Sequence, residues 1–495
     1  NGYNGTFDRR IGERDIDEQD GNTVAAYFLD GYAPSSSPDT QALLRFDGII
    51  GSSANQIPAG ATILDAKLTL TTSLAGNAQT SGPYGVAGLN QAFDSNTSYF
   101  VDFTTTTDFG SRGPWWEDGY ATRPVGGYGF QLPGAVDKAS VTSLVQGWAD
   151  GSPNYGMVVQ AGFAADAAST ANTSDGWSIR TTGFPNGDSR PLLEVEYTTA
   201  PVTKTSFQQG ANGYSSTTMA VVRSGANALI EDALDGGEIT EDGTFLDQTF
   251  LDGVFYTDTA GNTSSPDDLA LLKFENIFGN GAGQAPANTP VAKAWAVITT
   301  GDQSNAAQSS GPWSAHTVLR DWDLNTLHSD FGAVNGLQVG DGDISPALDT
   351  LDGFVRGSEV WFDVTDYVEG VRSGDANYGI AIRTTATADG WQINATGSSN
   401  VDARPRLVVF SADLGIISGT PGDFNDDGSV DGSDFLLWQQ GLGGSFDDGD
   451  FAAWSANFGS TPASLGQAAS TAIPEPTGVL MTLLGAFGLG LRRRR

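Results

Sequence analysis

"ATILDAKLTLTT" (61–72) places Leu64, Ala66, Leu68 and Leu70 on one side of an extended chain. Asp65, Lys67, Thr69 and Thr71 fall on the other. A period of two marks a strand with one face in a core. The pattern returns at "TPVAKAWAVITT" (289–300), where Ala292, Ala294, Ala296 and Ile298 take the inner positions. The surrounding segments repeat in the same order. "ALLRFDGIIG" (42–51) matches "ALLKFENIFG" (270–279), and "SGPY" (81–84) matches "SGPW" (310–313). "VTSLVQGWADGSPNYGMVVQ" (141–160) answers "VTDYVEGVRSGDANYGIAIR" (364–383). "DGWSIRTTG…SRPLLEVEY" (175–197) answers "DGWQINATG…ARPRLVVF" (389–410). Residues 1–198 and 205–411 therefore read as two copies of one domain, joined by "TTAPVTKTS" (198–206).

Short apolar runs ("MVVQ", "LLEVEY", "IAIR", "LVVF") alternate with Gly, Asn, Asp and Pro turns, and only "VTSLVQGWADG" reads as a short helix. The expected fold is mainly β: two tandem antiparallel β-sandwich, jelly-roll-like domains, each long enough for a sizeable core. Before its "NGY" the second copy carries "TSFQQGA" (205–211), whereas the first begins at "NGYNG". This predicts that a first strand and an export signal precede residue 1, so that the sequence is a fragment.

The 495 residues carry 59 Asp and Glu against 24 Lys and Arg, a formal net charge of −35. Such a surface repels nucleic acid and anionic lipid and suits a protein outside the cell. There is no cysteine, which excludes disulfides and thiolate metal sites. The two histidines, His316 and His328, both lie in the second copy and cannot build a site common to the two.

The ordered segments "ALLRF…IPAGATILDAKLTL", "VTSLVQGWADGSPNYGMVV" and "SRPLLEVEY" resemble bacterial DNRLRE-type domains, grouped with a family of carbohydrate-binding modules. The second copy departs at Val371, which replaces Trp148, and in "QAPANTPVAKA". The resemblance implies a non-catalytic sandwich that binds polysaccharide, with no catalytic residue to transfer. Sugars stack their C–H faces on exposed rings. Trp295, outward by the alternation, Trp115 and Trp116 in "SRGPWWEDGY", and Tyr84 and Trp313 after the Gly-Pro turns are the candidate platforms. Trp148, Trp177, Trp361 and Trp391 read as core, and Asn154-Tyr155-Gly156 with Asn377-Tyr378-Gly379 as turn structure.

"GDFNDDGSVDGSDF" (422–435) has the spacing of an EF-hand calcium loop. Oxygen ligands are needed at positions 1, 3, 5, 7, 9 and 12, with Gly at 6. Asp423, Asn425, Asp427, Ser429 through its carbonyl, Asp431 and Asp434 fill those places, with Gly428 sixth and Val430 as apolar anchor. A helix follows with Phe435, Trp438 and Leu442 at helical spacing, and "DFAAWSANFG" (450–459) repeats its pattern behind a loop too short for ligands. The paired loop–helix units resemble a dockerin over 419–459, which implies bound Ca2+ and a cohesin-like partner. The second unit lacks the ligands on which that resemblance rests.

Residues 460–472 form a small-residue linker. The segment 473–495 then gives Pro474-Glu475-Pro476, an uncharged run of 14 residues (478–491), and Arg492, Arg493, Arg494 and Arg495. The run is short for a spanning helix, and the basic cluster holds to the cytoplasmic side. This order resembles a PEP-CTERM sorting signal. It implies a hydrophobic C-terminal helix, transient membrane anchoring, recognition by an exosortase, and display on a bacterial cell surface or in its extracellular matrix.

Three functions follow. The first is a non-catalytic exported protein binding extracellular polysaccharide. The second is a polysaccharide hydrolase or lyase whose catalytic part lies upstream or unrecognised. The third is structural adhesion without glycan specificity. Shared carboxylates and cations at matched positions reduce to Asp175/Asp389 and Arg190/Arg404, which read as turn and strand residues.

Overall fold

The computed structural model describes residues 3–97, 116–162, 176–223, 247–302, 307–412, 429–441 and 448–459. Within these spans it omits 13–18, 30–39, 54, 117–118, 252–254, 258–262, 267, 325, 327, 332–336, 340 and 385–389. The chain divides into two units, Asn1–Asp413 and Leu414–Arg495.

In the first copy the strands are β1 (Thr6–Gly12), β2 (Gln19–Asp20), β3 (Ala26–Leu29), β4 (Thr40–Phe46), β5 (Thr62–Thr71) and β6 (Tyr84–Gly88). They continue with β7 (Gly126–Tyr128), β8 (Val136–Ser140), β9 (Met157–Ala161), β10 (Trp177–Arg180) and β11 (Leu192–Thr198). The second copy begins with β12 (Thr203–Gln208), β13 (Thr217–Arg223), β14 (Gln248–Leu251), β15 (Phe255–Thr257) and β16 (Thr263–Pro266). Next come β17 (Asp268–Phe274), β18 (Phe278–Gly279), β19 (Ala285–Pro286), β20 (Val291–Thr299) and β21 (Trp313–Val318). It ends with β22 (Ile344–Leu351), β23 (Glu359–Asp363), β24 (Ile380–Thr384), β25 (Trp391–Asn394) and β26 (Arg406–Ser411).

In the first copy a sheet of order β2-β1-β4-β9-β6-β7 packs over β11-β5-β8. Ala42 and Leu44, with Val86, Met157 and Val159 of the same sheet, meet Ala66, Leu68 and Leu70 in the shared core. In the second copy β13-β17-β24-β21-β22 packs over β12-β26-β20-β23, and matched positions such as Ala270, Leu272, Ala294 and Ile298 again fill the core. The expected tandem antiparallel sandwiches are what the chain forms.

The duplication extends to single hydrogen bonds. Trp177 donates from Nε1 to Thr72 Oγ1 at 2.9 Å, and Trp391 does the same to Thr300 at 3.0 Å. Asn154 Nδ2 donates to the Phe46 carbonyl, Asn377 Nδ2 to that of Phe274, and each precedes a glycine at positive φ, Gly156 and Gly379. The short helix expected in the first copy forms as α1 (Thr142–Ala149), and the matching segment of the second copy forms α2 (Thr365–Ser373).

One face assignment is corrected. The β5–β11 and β20–β26 pairings each carry a bulge, near Glu196/Tyr197 and Val291/Lys293. A bulge adds a residue and inverts the alternation on its far side. Ile63 and Val291 therefore join the cores, and Ala292, expected inside, is half-buried.

In the second unit, helices α3 (Gly432–Gly441) and α4 (Asp448–Asn457) pair through their aromatic residues. The ring centroids of Phe435 and Trp454 lie 4.9 Å apart, as do those of Trp438 and Phe451. Such contacts give a very small module a core. Among the described residues no helix is long and apolar enough to cross a membrane. The expected C-terminal hydrophobic helix at 473–495 lies outside them.

Candidate functional site

Three of the five aromatic candidates are core residues. Tyr84 is fully buried, donates its hydroxyl to the Leu29 carbonyl at 3.0 Å and packs on Trp177. Trp313 is fully buried, bonds Ser309 Oγ through Nε1 at 2.9 Å and packs on Trp391. The Gly-Pro turns lead straight into β6 and β21, so the first strand residue points into the sandwich. Trp295 does lie on the outer face of β20, yet it is only 1% exposed. Trp361 meets it edge-on at 6.2 Å, and the Lys293 ammonium sits 5.0 Å over its ring. The expectation of exposed sugar platforms is corrected at these three positions. Trp115 lies outside the described residues.

The first copy lies against this face: Trp361 shares a crevice with Val125, Lys138 and Ser140, and Asp65 and Glu196 act on Lys293 beside Trp295. The β7/β8 corner of one sandwich meets the β22/β23 corner of the other along a seam lined by glycine. A Cβ on Gly127 would stand 1.8 Å from the Gly353 carbonyl oxygen, and one on Gly129 would stand 2.0 Å from that of Ser310. A Cβ on Gly85 would strike Val355 at 2.5 Å. Only glycine permits backbones to approach so closely. Hydrogen bonds cross the seam from Glu359 N to the Pro124 carbonyl at 2.9 Å and from Gly129 N to Asp352 Oδ1 at 3.0 Å. Trp116 belongs here too: it is half-buried beside Gly357, with the Arg123 guanidinium 4.3 Å over its ring. Arg123 also faces Asp302 of the second copy at 3.7 Å.

A crevice of about 20 Å³ remains within the seam, lined by Gly126, Lys138, Asp352, Val360 and Trp361 among others. That is room for about one water and not for a sugar ring. Asp352 lines it, and Asp137 stands near enough to act on Asp352. Burial, then the neighbouring Asp137 carboxylate, raises Asp352 to about 7. Burial also raises Asp137, opposed by hydrogen bonds from Lys138 N and Gln131 Nε2. The adjacent Lys138 ammonium is engaged by Glu194 at 2.7 Å. Sequence reading missed this pair, because the two acids are unmatched between the copies. The clue available was "GGYG" (126–129), glycines at alternate strand positions that no turn requires.

The matched arginines are structural: Arg190 Nε bonds the Phe184 carbonyl and Arg404 Nε the Ser398 carbonyl, and Arg404 Nη1 also bonds the Gln209 carbonyl at 2.9 Å. Asp175 and Asp389 lie outside the described residues. His316 is buried against the Ser345 carbonyl at 2.9 Å, and burial holds its pKa below the usual value. His328 opens the 3-10 turn His328–Phe331.

Of the calcium-loop residues, Ser429, Asp431 and Asp434 are described, while Asp423, Asn425 and Asp427 are not. Asp431 and Asp434 form a capping box on α3. The Asp431 carboxylate accepts from Ser433 N at 2.7 Å, and the buried Asp434 carboxylate accepts from Asp431 N at 2.8 Å. Such reciprocal caps satisfy the free amides of a first turn. Val430 is buried, as an anchor should be, and its carbonyl accepts from Gly459 N at 2.8 Å. Trp454 Nε1 donates to the Asp431 carbonyl at 2.7 Å, tying the loop to the far helix. Ser429, Asp431 and Asp434 stand, by number, at the seventh, ninth and twelfth places of the expected calcium loop. Among the described residues alone, no group of three or more His, Asp or Glu side chains is placed to hold a metal. The sorting-motif residues Pro474, Glu475, Pro476 and Arg492–Arg495 lie outside the described residues.

Fold and seam define a mainly β protein of two antiparallel sandwiches packed on each other. No family model matches the chain, and no curated protein matches it. Among solved structures it is similar to allantoicase from Saccharomyces cerevisiae, at 9% identity and a TM-score of 0.18, over 75% of this chain and 77% of that one. At that level the likeness carries no argument about activity.

Proposed function

We propose that the chain is a non-catalytic, exported scaffold displayed on a bacterial cell surface or in its extracellular matrix. The carrying observation is the seam. Two copies of one sandwich are joined by backbone contact, and Trp295, Trp361 and the Asp137–Asp352 pair serve that junction. The PEP-like tail and dockerin-like spacing support export, processing by an exosortase and a calcium-stabilised module. Mass spectrometry of the exported protein tests the tail: a mass lacking it supports sorting, and a retained tail supports a plain anchor.

In this reading Ca2+ is held by Asp423, Asn425, Asp427, the Ser429 carbonyl, Asp431 and Asp434. It neutralises clustered carboxylates and fixes the loop against α3, which suits a core too small to hold unaided. Calcium titration followed by circular dichroism should show helix gain in the parent. Asp434→Asn keeps an acceptor for the cap but weakens the ligand set, so its gain should shrink. Identical spectra in chelator and calcium would refute the metal role. A cohesin-like partner belongs to the same reading, with the exposed Leu436, Leu437 and Phe458 as its contact surface.

Binding of extracellular polysaccharide now rests on the loop holding Trp115 and Trp116. Affinity electrophoresis against a glycan panel tests it. Retardation lost in Trp116→Ala supports glycan binding, and mobility unchanged on every glycan favours adhesion without glycan specificity. An enzymatic reading draws on the raised Asp352 carboxyl. Turnover of any polysaccharide, lost in Asp137→Asn, would favour it over the scaffold.

A further inference from the structure

The five-stranded sheet of the second copy carries a buried cation on its outer face. Ile380 and Ile382 of β24 enter the core between the sheets, so Ala381 and Arg383 face the other way. On β21, His316 stands opposite Ala381 and Ser314 opposite Arg383. His316 and Arg383 are therefore diagonal neighbours on that face. Trp322, Phe331 and Leu337 form an apolar layer with Ala381 over it.

Arg383 is only 9% exposed. Its guanidinium bonds backbone carbonyls, Leu337 from Nη1 at 3.1 Å and Thr384 from Nε at 3.5 Å. Burial lowers its pKa, and no carboxylate among the described residues opposes that shift. Asp343, the acid just ahead of β22, is engaged by Arg320 at 3.1 Å. Buried cations are paired as a rule, because a lone charge is costly to desolvate. His316 adds a second unsatisfied group. Its Nδ1 faces the Ser345 carbonyl at 2.9 Å, while Nε2 is buried without a hydrogen bond among the described residues. Burial, and behind it the Arg383 charge, lowers the His316 pKa, and the Ser345 and Pro346 carbonyls act the other way. The first copy differs at the matched place. There Gln160 stands opposite Gly85, as Arg383 stands opposite Ser314, and its Oε1 accepts from Gln41 Nε2 at 3.0 Å. A sandwich of this kind accommodates a neutral amide at that position.

We infer that Arg383 and His316 form a binding site for a small oxyanion in the second sandwich. The guanidinium supplies positive charge and the Nη2 donors, which suit the oxygens of a carboxylate, sulfate or phosphate group. His316 Nε2 joins as a donor once protonated. A bound anion opposes the Arg383 field on the imidazole, so binding takes up a proton and tightens as pH falls. The site goes beyond the scaffold reading, which assigns no ligand to this sheet.

The test uses the full chain with sodium sulfate, phosphate and acetate, each against sodium chloride at equal ionic strength. The chain has two histidines, so the His316 imidazole is followed by NMR from pH 5 to pH 8. A saturable shift with at least one oxyanion, a higher His316 pKa when bound, and tighter binding at pH 5 than at pH 8 are expected. The separate arms show which oxyanion the site takes. Arg383→Gln installs the amide that the first copy carries there and should abolish saturation. Arg383→Lys, which keeps the charge without the planar fork, should bind at least ~10-fold more weakly. No saturable shift in the parent with any of the three, or equal binding by Arg383→Gln, would overturn the inference.

Discussion

Asp352 follows β22 and reaches across the seam to the amide of Gly129. Its carboxyl is raised to about 7, first by burial and then by Asp137. A carboxyl whose folded pKa exceeds its unfolded value favours the folded state in its neutral form. The stability it contributes is complete at acid pH and is lost as pH rises through about 7. Asp352→Asn keeps an acceptor for Gly129 N without the charge. The variant should unfold at higher temperature than the parent at pH 8, with the difference shrinking toward pH 4. Scanning calorimetry across that range measures it, and parallel pH profiles would refute the role. Trp295 makes the opposite kind of prediction. Because it is core, Trp295→Ala should cost about 3–5 kcal/mol of stability in denaturant titration and leave any glycan affinity of the folded protein unchanged. The sequence showed the side of the strand on which Trp295 stands. It could not show that a second sandwich covers that side.

At the level of elements, the helix pair was legible because Phe-x-x-Trp recurs at helical spacing, and both helices formed with those rings in contact. The capping box was hidden inside the calcium reading, since the same Asp431 and Asp434 serve both. Asp434→Ala removes the cap whether or not an ion is bound, and should cost the module about 0.5–2 kcal/mol even in chelator. Chelator-treated parent and variant melting together, by circular dichroism, would contradict the box. The strands were legible for the same reason as the helices, their period. The bulges were not, because an extra residue in β5 or β20 leaves the apolar count unchanged and shifts only its phase.

For the whole molecule, the duplication was legible in the order of matched segments and predicted two sandwiches, but it did not predict their junction. Glycine in strands ordinarily weakens them. Here Gly127 and Gly129 allow the second copy's backbone to lie against the first, and Gly85 makes room for the Val355 side chain. The central claim is that Asn1–Asp413 behaves as one cooperative body because of that contact. Scanning calorimetry of the full chain and of Gly127→Val tests it most directly. Apart from the small helical module, the parent should show a single transition. The variant, whose added side chain cannot fit beside Gly353, should split it into two, with the earlier transition destabilised by about 1–3 kcal/mol. Two independent transitions already in the parent, or an unchanged single transition in the variant, would contradict the account.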